Sequence, residues 1–112
     1  MTNTMTKLEL HKLIKNTISY IHQKEKGLYP NKADAYHHAI IELKKLDETI
    51  DQYISKDERT RISDSAALFG SKELEIYDRN DVGAKFALAN FEYSKYFGII
   101  DPDILKLIIN EK

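Results

Sequence analysis

Cysteine is absent from this 112-residue chain. That removes disulfides, thiolate metal sites and cysteine nucleophiles together. Long hydrophobic runs are absent too. The uninterrupted apolar stretches last only a few residues, as in Ala87-Leu88-Ala89, far short of the roughly 20 needed to span a bilayer. The opening Met-Thr-Asn-Thr-Met-Thr has no basic segment followed by an apolar one, so no signal peptide and a cytoplasmic location are expected. Nor is there an excess of one charge. The net charge of −1 argues against general nucleic-acid binding, which draws on surplus Lys and Arg.

What is present is a modest apolar share, 42%, beside a large charged share, 31%. This composition suits one small core in a charged shell. The expectation is a single helical domain over residues 1–112, with residues 1–5 disordered. Charge is unevenly placed: residues 1–30 hold five lysines against two acids, while residues 31–55 hold three bases against five acids.

Hydrophobic periodicity is helical through most of the chain. Thr6 and Glu9 form a capping box, with Met5 and Leu10 as a staple, ahead of an apolar stripe at Leu10, Leu13, Ile14, Ile18 and Ile21. That predicts a helix over 7–26, stopped by Gly27 and Pro30. Asn31 can cap a second helix, whose stripe runs from Tyr36 through Leu43, Leu46 and Ile50 to Tyr53 and Ile54. Ser55 with Glu58 caps a third helix, ended by Gly70, and Ser71 can cap a further stretch through Leu74 and Tyr77. Residues 74–83 read equally as helix, bend or short strand. A helix over 84–97 carries Phe86, Ala89, Tyr93 and Phe97 on one face and Ala84, Leu88 and Phe91 on the other. An apolar girdle of this kind predicts a central, buried helix. Gly98 stops it, and Asp101 with Pro102 starts a last short helix bearing Ile104, Leu105, Ile108 and Ile109. The expected architecture is all-α, a compact bundle of five or six helices with helix 84–97 at its centre.

Catalytic signals are weak. Ser63, Ser65 and Ser94 lack a nucleophile-elbow context, and Gly70-Ser71-Lys72 resembles the end of a phosphate-binding loop without its upstream glycine. Asp34, His38 and Glu42 recur at i, i+4, i+8, which lays them along a line rather than around an ion. No catalytic residue, metal site or cofactor is expected. The binding candidates are surfaces. Lys7, His11, Lys15, His22 and Lys26 form a basic stripe bordering the apolar face of the first helix; the bland alternative is a solvated rim with lysine stems over the core. Ile41, Phe91, Tyr96 and Asn90 are candidates for an apolar or aromatic interface, against the alternative that aromatics at this spacing pack inside.

A non-catalytic protein-binding module is therefore expected: an inhibitor, immunity factor or regulatory adaptor facing a partner with an acidic patch, or a homodimer. A nucleic-acid-associated regulator using Arg59, Arg61 and Lys72 beside the Gly70 turn is one alternative. A nucleotide- or small-anion-binding protein using the His/Lys stripe is another. In length and helix count alone, the chain resembles small helical immunity proteins that protect bacteriocin producers, and phage-encoded inhibitors. No motif accompanies that likeness, and no residue is carried over from it.

Overall fold

The structure is a computed structural model and describes residues 5–26, 30–74 and 82–99. All regular structure among these residues is helical, in four α-helices: α1 (Lys7–Lys24), α2 (Pro30–Thr49), α3 (Lys56–Phe69) and α4 (Val82–Tyr96). A π-helical turn, Gly70–Leu74, continues directly from α3.

The capping box of α1 forms as its spacing implies: Glu9 N donates to Thr6 Oγ1 and Thr6 N donates to Glu9 Oε1. These bonds satisfy two backbone donors that the first turn would otherwise leave open. They also hold the Glu9 carboxyl below its ordinary range, chiefly through the Thr6 backbone N–H. Leu10, Ile14 and Ile21 are then fully buried. They meet Tyr36, Ala39, Leu43 and Leu46 of α2, and Phe86, Ala89 and Tyr93 of α4, in one continuous apolar core. Each such side chain contributes about 1.5–3 kcal/mol when fully withdrawn from water.

Pairing directions follow from side-chain contacts. Lys7 and His11 reach Asp51 and Asp47 at the far end of α2, so α1 and α2 are antiparallel. Arg59 meets Tyr93 and Phe97, Ser63 meets Asn90, and Phe69 meets Phe86, so α3 and α4 are antiparallel as well.

The described residues hold four α-helices where five or six are expected, and Asn31 lies inside α2 rather than capping it, because the helix begins at Pro30. Four further expectations change. First, α2 ends at Thr49, although its apolar stripe continues on paper through Ile54. Bonds from Ile50 N to Asp47 O and from Gln52 N to Thr49 O tighten its exit, and Tyr53 stands wholly in solvent. Second, Gly70 does not stop α3. Its backbone is right-handed helical (φ −59°, ψ −43°) and leads straight into the π turn. Glycine leaves room there, because a Cβ would lie 3.0 Å from Phe86 Cδ1, a tight contact. Third, Ser71 caps nothing; its hydroxyl donates back to Leu68 O. Fourth, α4 packs against α1, α2, α3 and the π turn, but it is not buried all round. Ala84, Ala87 and Leu88 are exposed and Phe91 is half-buried.

Gly98 does end α4 as expected. At φ +67° it adopts the left-handed conformation, with Ile99 N donating to Ser94 O and Gly98 N to Lys95 O. This is the Schellman arrangement. The stop at Gly27, the uncertain stretch through residues 75–81 and the last helix expected after Asp101 lie outside the described residues.

Candidate functional site

The basic stripe of α1 is largely spoken for within the molecule. Lys7 Nζ pairs with Asp51 at 3.1 Å, and His11 is clasped by Asp47 on Nδ1 (2.6 Å) and Asp51 on Nε2 (3.1 Å). The Lys7 ammonium beside Asp51 is the main reason that its carboxyl lies below the ordinary range, with His11 adding to the effect. His22 pairs with Glu25 at 3.1 Å. Lys15 and Lys26 remain exposed, and Lys15 has no ion-pair partner among the described residues. The positive first helix and negative second helix seen in the sequence thus meet each other at one end. Two of the five residues of the stripe, Lys7 and His11, serve the α1–α2 contact.

The interface candidates separate in the same way. Asn90 is turned inward, 7% exposed. Its side-chain Nδ2 donates to Ser63 O (3.0 Å), its Oδ1 accepts from Ser63 Oγ (2.9 Å), and Ser63 Oγ also meets Ser94 Oγ. A buried amide satisfied on both sides fixes the register of two helices; it is not presented to a partner. Tyr96 is half-buried with its ring edge-on to Phe97. Ile41 is exposed between His37, Lys44 and Glu48, all exposed too, and a single apolar residue in such company is ordinary.

Phe91 belongs to a larger feature. Ala84, Ala87, Leu88 and Phe91 fall at i, i+3, i+4 and i+7, one face of α4 directly opposite its buried face. Leu88 is 49% exposed. The opposite face of the same helix (Val82, Phe86, Ala89, Tyr93) is almost completely buried. The helix is therefore held rigidly by its inner side while it offers an apolar outer one. Lys95 and Glu92 pair at the C-terminal margin of this face.

Arg59, weighed from the sequence as a nucleic-acid contact, is also turned inward and only 8% exposed. Nη1 donates to Thr49 O (2.6 Å) and to Tyr93 Oη (3.4 Å), and Nη2 donates to Gln52 O (2.5 Å). The guanidinium lies 3.7 Å from the centre of the Phe97 ring. It closes the open carbonyl end of α2, where a cation suits the helix dipole. The signal was present in the sequence. Arg59 keeps register with Ile62, Ser63, Ala66 and Phe69 along the inner side of α3. Arg61 and Lys72 are exposed.

Along α2, the His38 ring lies against Phe69 at a tilt of 46° with ring centres 4.4 Å apart, and it shares the buried Glu42 carboxylate with Lys45. Asp34, the third member of that line, is exposed. Among the described residues, no three His, Asp or Glu side chains converge as metal ligands would. No described helix is long and apolar enough to cross a membrane. No protein-family model, curated protein or solved structure matches the chain.

Proposed function

We propose that this chain is a non-catalytic protein-binding module that acts by covering a partner's surface through the outer face of α4. The observation that carries this reading is the Ala84–Ala87–Leu88–Phe91 face, apolar and open on a helix whose other side is locked into the core. A rigid helix with alanines between larger anchors allows close approach of another helix or a sheet, and pre-organisation limits the entropy lost on binding. An inhibitor, immunity factor or regulatory adaptor, encoded by a bacterium or a phage, would work in this manner. The exposed Lys15 and Lys26 support a partner with acidic groups nearby, and a second copy of the chain is the alternative occupant. Nucleic acid is disfavoured by the net charge of −1, since binding a phosphate backbone draws on surplus Lys and Arg.

The test compares the wild-type chain with Leu88→Lys in capture from extracts of the native host, alongside sedimentation of each protein alone. The reading expects a protein or a second copy held by the wild type and lost by the variant, with unchanged helical circular dichroism. Equal capture by both proteins overturns it. So does a salt-sensitive shift of DNA or RNA by the wild type without any protein partner.

A further inference from the structure

A shallow cleft of about 280 Å3 opens where the start of α1, the α2–α3 connection and the end of α4 meet. Its walls include Lys7, Asp51, Tyr53, Arg59, Tyr96 and Phe97. Arg59 is the unusual member. It is a buried cation with no carboxylate partner among the described residues. Buried charges are ordinarily paired. Here the compensation comes from carbonyls at the end of α2, equivalent to only about half a negative charge. The guanidinium has five N–H donors, and its bonds to Thr49, Tyr93 and Gln52 engage three of them. Nε makes none of these bonds and is not fully sealed from solvent, and Arg59 lines the cleft.

Lys7 supplies a second cation, tied to the exposed carboxylate of Asp51. With Arg59 the pair of cations outweighs Asp51 on the cleft wall. Tyr53 stands entirely in solvent at the rim and presents an aromatic ring there. The volume falls just below the range of about 300–1,000 Å3 usual for drug-sized ligands, which limits the occupant to one small group.

We infer that this cleft binds a small anion, one carboxylate or phosphate group carried on a single flat ring, with the anion on Arg59 Nε and Lys7 and the ring against Tyr53. The site is separate from the outer face of α4 and does not depend on it.

Four probes separate its elements in NMR titrations of the full chain: benzoate, phenyl phosphate, uncharged benzamide and inorganic phosphate. Benzoate or phenyl phosphate should shift the Arg59 Nε–H and Tyr53 ring signals saturably, with a dissociation constant in the millimolar range, about −4 kcal/mol. Which of the two binds more tightly identifies the anion. Benzamide and inorganic phosphate should each bind about tenfold more weakly, because each lacks one of two cooperating contacts. Asp51→Asn removes a repulsive charge and releases Lys7, so it should tighten binding by about threefold. Tyr53→Ala, at a position with no packing to lose, should reduce the ring anions to the level of inorganic phosphate. The inference is overturned if neither ring anion gives a saturable shift by about 20 mM, if benzamide binds as well as benzoate, or if Asp51→Asn and Tyr53→Ala both leave binding unchanged.

Discussion

Replacing Arg59 by methionine tests whether a single guanidinium closes the end of α2 and ties it to α3 and α4. Two charge-assisted bonds to the Thr49 and Gln52 carbonyls would each contribute about 1.5–3 kcal/mol. The stack on Phe97 adds up to about 2 kcal/mol where water is excluded. Against this stands the cost of dehydrating the guanidinium, several kcal/mol, which methionine recovers while it fills much the same volume. Removing Arg59 strands no carboxylate, so the usual penalty of an orphaned charge does not arise. What remains is the loss of one of two donors to the buried Thr49 carbonyl, which keeps Gln52 N at 3.2 Å, worth about 0.5–1.5 kcal/mol; Gln52 is exposed, and water can replace its donor. The expected net loss is therefore about 0.5–1.5 kcal/mol, a measurable part of the roughly 5–15 kcal/mol that holds a small domain folded. Urea unfolding at pH 7 reads this as a lower midpoint with an unchanged slope. Arg59→Ala should lose more, since it also opens a cavity. A loss below about 0.5 kcal/mol in Arg59→Met, or a gain, would refute the reasoning by showing that dehydration dominates the guanidinium's contacts.

Three further outcomes follow from the geometry. Asn90→Leu should cost about 1–3 kcal/mol in chemical denaturation, because it removes two buried bonds to Ser63, each worth about 0.5–1.5 kcal/mol; a neutral result would mean that the Ser63–Asn90–Ser94 cluster sets register without adding stability. Gly70→Ala should destabilise by about 1–3 kcal/mol through contact with Phe86, although alanine in an unconstrained helix would gain about 0.5–1 kcal/mol; a higher melting temperature would contradict the close approach. Asp51, with its folded-state pKa below the ordinary value near 3.9, contributes stability that is complete at neutral pH and is lost as pH falls below about 4. The gap in melting temperature between wild type and Asp51→Asn should accordingly be open at pH 7 and closed near pH 2.5, and a gap independent of pH would exclude the Lys7 and His11 pairing as its source.

Local signals in the sequence were read correctly where the chain itself satisfies its backbone. The Thr6–Glu9 box, the Ser55 cap and the Gly98 stop each involve residues within five positions of one another. Misreadings arose where a distant element decides. The stripe of α2 predicts helix through Ile54, but Arg59, seven to ten residues on, takes the carbonyls at which α2 actually ends. Gly70 reads as a stop until Phe86 is seen against it. The basic stripe of α1 reads as an offered surface until Asp47 and Asp51 are found beside it, and Asn90 reads as a contact until Ser63 is found. The two-faced pattern of α4 was plain in the sequence. Its meaning was not, because periodicity cannot say whether a second apolar face is covered by the same chain.

Placing a photo-crosslinking residue at position 88, and in a second protein at position 8, probes the outer face of α4 most directly. Leu8 is at least as exposed as Leu88, 64% against 49%, but it lies on α1 among charged neighbours. Irradiation in the native host should give a discrete covalent adduct, with a partner protein or a second copy, from position 88 and none from position 8. Adducts of equal yield from both positions, or from position 8 alone, would contradict the assignment of α4 as the binding surface.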